Sequence, residues 1–121
     1  MSTIEGSWHS RYEYGKGPDN EPQISEHQIT FTSEDNMWVG KSLPQNDGSE
    51  VTLALKQNDK EFQGEWKERT SPTGDYGGSE FGGAVLLLLQ NEAELAGMWL
   101  GTSSSTNQVK AGSWTLTREI E

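Results

Sequence analysis

The chain has 121 residues, 31% of them apolar, with 14 glycines, five tryptophans, no cysteine and a formal charge of −10. That length makes one domain with one modest core. The charge excludes an electrostatic grip on nucleic acid or on an anionic membrane surface, and the missing cysteine excludes disulfides, thiol nucleophiles and thiolate metal sites. So polar a composition borders on that of disordered chains. Apolar residues that alternate between turn signals, and tryptophans that each bury roughly 150–250 Å², argue for a folded domain over residues 1–121 instead.

The opening Met1-Ser2-Thr3-Ile4-Glu5 has neither the basic region nor the apolar stretch of a signal peptide, so a cytoplasmic placement is expected. Nothing approaches the length of a membrane span.

The first expected strand runs from Ile4 to Tyr14, with Ile4, Gly6, Trp8, Ser10, Tyr12 and Tyr14 on one face. A loop follows at Gly15 to Asn20. The second strand, Gln23 to Thr32, has a poor pattern: Ile24 falls on one face, Ile29 and Phe31 on the other. After a turn at Ser33 to Asn36, the third strand, Met37 to Leu43, puts Trp38, Gly40 and Ser42 together. Pro44 to Gly48 reads as a hairpin with Asp47-Gly48 at its tip. The fourth strand, Val51 to Leu55, alternates cleanly, and Asn58-Asp59-Lys60 turns the chain.

The fifth strand, Phe62 to Thr70, carries Phe62, Gly64, Trp66, Glu68 and Thr70 on one face. Ser71 to Glu80 is a glycine-rich loop. The sixth strand, Phe81 to Leu89, ends in a run that is apolar on both faces, Ala84 to Leu89. One face of that run needs a cover, and a homo-oligomer built on strand 81–89 is expected. Asn91-Glu92 turns into the seventh strand, Leu95 to Thr102. The eighth, Val109 to Glu119, places Gly112, Trp114, Leu116 and Arg118 together.

One pattern recurs through these strands. Gly-x-Trp appears at Gly6-Ser7-Trp8, Gly64-Glu65-Trp66, Gly97-Met98-Trp99 and Gly112-Ser113-Trp114. Ile4, Phe62 and Leu95 stand two places before three of the glycines, and Lys110 before the fourth. Residues two apart share a strand face, so each copy lines up a side chain, a gap and an indole. Glycine in a strand marks a sharp bend or the close approach of another backbone, curved sheets that close into barrels need such bends, and the four glycines are expected to be bends. The expected fold is an eight-stranded antiparallel up-and-down β-barrel lined with tryptophan, with a two-sheet sandwich as the alternative.

The two ends of the chain sharpen that expectation. Gly6-Ser7-Trp8 at the start, and the final Gly112-Ser113-Trp114-Thr115-Leu116-Thr117-Arg118, resemble the calycin superfamily, which includes lipocalins, fatty-acid-binding proteins and avidins. The last strand looks most like that of an avidin-type barrel. The resemblance implies an early tryptophan packed against a late arginine across the closed end. It does not extend to the biotin-contacting residues of avidins, so biotin binding is not implied. Ser10-Arg11-Tyr12-Glu13-Tyr14 and the stretch Trp66 to Gly74 are similar to small bacterial barrel domains of unsettled activity, some of them attached to helix-turn-helix regulators.

Little in the chain points to catalysis. His9 and His27 lack metal-ligand spacing. Ser10, Ser42 and His27 come with no Gly-x-Ser-x-Gly elbow. Gly74-Asp75-Tyr76-Gly77-Gly78 lacks the Lys-Ser/Thr ending and the following helix of a phosphate loop. No catalytic residue, metal or cofactor is assigned. The expected function is non-enzymatic binding of a small ring-containing molecule at the barrel mouth, for sensing or sequestration.

The residues assigned to that site are Trp8, Tyr12, Tyr14, Trp66, Glu68, Thr70, Tyr76, Trp99, Trp114 and Arg118. Arg118 has two structural readings beside that one: stacking on Trp8, or an internal pair with Glu68. A filled barrel acting as a protein-interaction module is the second functional reading, and an enzyme using Glu68 or His27 as a base is the third.

Overall fold

Alternation in the sequence becomes eight strands: β1 (Gly6–Lys16), β2 (Pro22–Glu34), β3 (Met37–Ser42), β4 (Glu50–Asn58), β5 (Glu61–Arg69), β6 (Glu80–Asn91), β7 (Glu94–Ser103) and β8 (Gln108–Arg118). They are seen in a computed structural model that describes residues 4–16, 22–43, 50–69, 80–103 and 108–119. The Asp47-Gly48 tip and the glycine-rich loop at 71–79 lie outside the described residues. Every strand pairs antiparallel with its sequence neighbour, and β1 pairs with β8 from Trp8↔Arg118 to Tyr12↔Trp114. The sheet is therefore a closed up-and-down barrel and not a sandwich. Far-UV circular dichroism should accordingly show β structure with little helix, and a helical spectrum would overturn this fold.

The two ends of the barrel differ. At one end β2–β3, β4–β5 and β6–β7 are joined by two-residue turns at 35–36, 59–60 and 92–93. Asp35 and Asn36 both take positive φ, 50° and 66°. Short Asp and Asn side chains tolerate that conformation, and it matches the twist of the flanking strands. At the other end the strands lead into residues 17–21, 44–49, 70–79 and 104–107, which lie outside the described residues.

The turn end is sealed by apolar packing. Trp8, Ile29, Phe31, Leu53, Leu55, Phe62, Leu87, Leu95 and Leu116 are buried there or in the barrel's middle, with Ile4 beneath them. The poorly patterned β2 is settled by burial: Ile29 and Phe31 face inward with His27, while Ile24 faces out. In β6 the inward pair is Leu87 and Leu89, leaving Leu86 and Leu88 outside.

The glycines of the repeat work by close approach of backbone. A Cβ at Gly64 would stand 1.8 Å from the Ala54 carbonyl oxygen, and one at Gly97 would stand 1.9 Å from that of Leu86. At Gly112 it would lie 2.2 Å from Glu13 O and 2.6 Å from Trp99 Nε1. Each glycine thus leaves room for a carbonyl of the neighbouring strand to turn inward. The gap holds backbone, and at Gly112 the edge of an indole as well. Gly6 differs: its surroundings are open, and its φ of +120° is what suits glycine there.

Candidate functional site

Turned-in carbonyls solve a problem that an indole-lined barrel creates. A buried indole N–H needs an acceptor. All five tryptophans find one. Trp66 Nε1 donates to Leu100 O at 3.0 Å, and Trp99 Nε1 to Glu13 O at 2.7 Å. The Leu100 carbonyl occupies the place that a Cβ at Gly83 would take, so glycine and tryptophan act as a pair across strands. Trp114 Nε1 donates to the buried Ser10 Oγ at 2.8 Å, Trp8 Nε1 to Ile4 O at 2.9 Å, and Trp38 Nε1 to Gln57 Oε1 at 3.0 Å.

Toward the open end, three indoles form a floor. Trp66 stands edge-on to Trp99 with centroids 5.5 Å apart, and to Trp114 at 6.2 Å. Tyr12 tilts against Trp114 at 4.8 Å and stacks on the His27 ring at 6.1 Å, with 4° between the planes. On this aromatic layer sits a short polar contact. Tyr12 Oη donates to Glu68 Oε2 at 2.6 Å, joining β1 to β5 across the barrel. Glu68 pairs in register with Val51 and Phe81, so its carboxylate stands on the inner wall among apolar neighbours. A carboxylate in such surroundings is costly unless hydrogen-bonded.

The expected site residues therefore divide. Tyr12, Trp66, Glu68, Trp99 and Trp114 come together in the open half. Trp8 and Arg118 lie at the sealed end. There the Arg118 guanidinium sits 4.4 Å from the centre of the Trp8 ring. It donates from Nε to Glu92 O and from Nη1 to Glu5 O, both at 2.9 Å. Of the two structural readings for Arg118, stacking is observed, and Glu68 accepts a hydrogen bond from Tyr12. Thr70 and Tyr76 lie outside the described residues, as does the side chain of Tyr14.

Sequence reasoning left Ser10 and His27 out of the binding site, although it set Ser10 on the face of Trp8 and Tyr12 and weighed His27 as a base. Ser10 was legible from its place between Trp8 and Tyr12. His27 was not, because β2 has no clear period.

A hollow of about 410 Å³ opens over the ends of β4, β5 and β6, where Glu68 and Phe81 of the inner wall meet Thr52, Lys67 and Gly82 of the outer one. At its rim Arg69, Glu50 and Glu80 answer one another. Arg69 bonds Glu80 at 2.9 Å and stands 3.5 Å from Glu50. The hydrogen bond to Glu80, and then the charges of Glu80 and Glu50, raise the Arg69 pKa above its ordinary value. The exposed ion pairs at its rim are a poor ligand site in themselves, and Glu68 is what the hollow shares with the indole floor. Among the described residues no group of three or more His, Cys, Asp or Glu is gathered as a metal would require.

Fold and site together define the class: a closed eight-stranded antiparallel barrel with a sealed end and an indole floor. No family model matches the chain, and no curated protein matches it. Among solved structures it is similar to a redesigned β-barrel, with 17% identity and a TM-score of 0.62, over 97% of this chain and 92% of that one. At that identity the likeness concerns the fold alone.

Proposed function

We propose that this chain is a non-enzymatic binding barrel of the calycin type, which holds a small ring-bearing molecule on its indole floor for sensing or sequestration. The observation that carries the reading is the Tyr12–Glu68 hydrogen bond on that floor. A small number of placed polar groups in an aromatic wall is the usual make-up of a ligand site. The three floor indoles spend their N–H groups on protein acceptors and offer only faces and edges. Glu68 then supplies the directional contact, and as a carboxylate it selects a ligand with an N–H or cationic donor. The Trp8–Arg118 stack at the sealed end supports the calycin comparison, which rests on those two positions.

A site kept for binding is often kept at a cost in stability. Replacing a buried polar pair by apolar residues is often neutral or stabilising. The double variant Tyr12→Phe, Glu68→Leu should therefore melt at or above the wild-type temperature while losing the site. Binding is tested by tryptophan emission against a panel of planar aromatic amines and amidines, with benzamidine as the first probe. The expected result is a saturable change that Glu68→Gln weakens about tenfold. Emission unmoved by every member of the panel, or binding indifferent to Glu68→Gln, would defeat this site.

A further inference from the structure

The outer wall of the barrel is not uniform. Over β1 to β5 its outward positions carry charge, with Arg11, Glu26, Lys41, Lys56, Glu65 and Lys67 among them. Between Glu80 and Glu94, which stand at the ends of β6 and β7, the outward positions of β6 to β8 do not. From Gly82 to Leu88 on β6, from Ala96 to Thr102 on β7 and from Val109 to Thr117 on β8, every outward-facing residue is uncharged. Charge resumes at both flanks, with Glu61 and Glu65 on β5 beside Leu88 and Ala84, and Arg11 and His9 on β1 beside Thr115 and Thr117.

Within this face the large apolar residues are contiguous. Leu86 pairs with Met98 and Ala84 with Leu100 across the β6–β7 ladder. Leu86, Leu88, Met98 and Leu100 are 46%, 43%, 55% and 49% exposed. Exposed leucine at alternate positions of a strand is not needed to build the barrel, whose core is made by the inward-facing residues.

We infer that this face is where a second copy of the chain docks, in a two-fold dimer centred on β6 and β7. Charge decides the occupant. Each chain carries a formal −10. A partner recognised through charge would meet basic or acidic groups at the contact, and this face has none. A second −10 chain can approach closely only where neither copy presents a carboxylate, and an isologous contact sets the same face against itself. Depletion of charge at the centre is the compositional mark of protein interfaces. A bilayer is a weaker fit. A barrel spanning a membrane needs an apolar girdle all round, and charge breaks the outer face at Arg11 on β1, Glu26 on β2, Lys56 on β4 and Glu65 on β5.

The face measures about 14 Å across three strands and about 23 Å along β7. On a convex barrel that area falls at the small end of specific interfaces, so a dissociation constant on the order of 10 µM is expected.

Sedimentation velocity from 1 µM to 1 mM protein, in low and high salt, is the test. The wild type should pass from monomer to dimer with rising concentration. Its dimer should tighten several-fold between about 0.02 and 0.5 M salt, because screening relieves repulsion between two acidic bodies. An interface made of ion pairs would weaken instead. Leu86→Glu and Met98→Glu should each shift the midpoint at least about tenfold toward monomer, with little change in melting, since both side chains already meet solvent. Leu86→Gln serves if a glutamate unfolds the barrel. Thr32→Glu, an equal charge on the outer face of β2, should leave the dimer intact. The inference fails if the wild type is monomeric up to 1 mM in high salt, or if the β6 and β7 variants dimerise like the wild type. It also fails if a monomeric wild type floats with phosphatidylcholine vesicles, which would make the face a lipid contact.

Discussion

Gly64→Ala and Gly97→Ala should each destabilise the barrel by about 3 kcal/mol or more, far above the roughly 1 kcal/mol of a typical point mutation. The cause is the first carbon of any side chain. A Cβ at Gly64 falls 1.8 Å from Ala54 O, and one at Gly97 falls 1.9 Å from Leu86 O. These carbonyls belong to strands already hydrogen-bonded on both sides, so relief requires backbone movement, which is costlier than a rotamer change. If the glycines merely left gaps beneath the rings, alanine would be mild and only valine severe. Backbone contact reverses that expectation: alanine should show most of the loss, and valine little more. Gly6→Ala provides the contrast, because its nearest neighbour would be Arg118 Nη1 at 3.6 Å. Strain at φ +120° alone should cost about 1 kcal/mol. Urea unfolding of the variants measures all of this. Alanine variants at 64 and 97 that unfold with the wild-type midpoint would show that these are not points of close approach.

The sealed end should be nearly as sensitive. Trp8→Ala is expected to lose about 4 kcal/mol, in the range for a large aromatic removed from a core. Trp8 is fully buried, bonds Ile4 O, packs edge-on to Phe31 and carries Arg118 on its face. Arg118→Lys keeps the charge and removes the fork. Two donors of one planar group reach Glu92 O and Glu5 O, so Arg118 ties the β6–β7 turn to the start of the chain. A lysine ammonium is a point charge that cannot hold both carbonyls while stacking. A loss of about 1–2 kcal/mol is expected. A double-mutant cycle between Trp8→Phe and Arg118→Lys should give a coupling near 1 kcal/mol. Simple additivity would mean that the stack seals nothing.

Much of the architecture could be read from the chain because period-2 alternation, turn residues and the Gly-x-Trp spacing all act locally. Val51, Leu53 and Leu55 needed no partner to announce a strand, and Asp35-Asn36 needed none to announce a turn. A glycine two residues before an indole implied a bend or a close approach of backbone, and only the paired strands decided for close approach at Gly64, Gly97 and Gly112. Other matters depended on what stands across the barrel. Leu86 through Leu89 look alike in sequence; only the curvature of the closed sheet decided that Leu87 and Leu89 go inward. Arg118 could have met Glu68 or Trp8, both on faces compatible with its own, until the register of β1 against β8 set it opposite Trp8. Tyr12 and Glu68 are 56 residues apart and meet only because β1 and β5 stand across the barrel from each other. His27, on a strand with no legible period, was drawn in by its pairing with Ser10. Strand periodicity is a property of neighbours in the chain; register, the inward face and the meeting of opposite walls belong to closure, which no local pattern encodes.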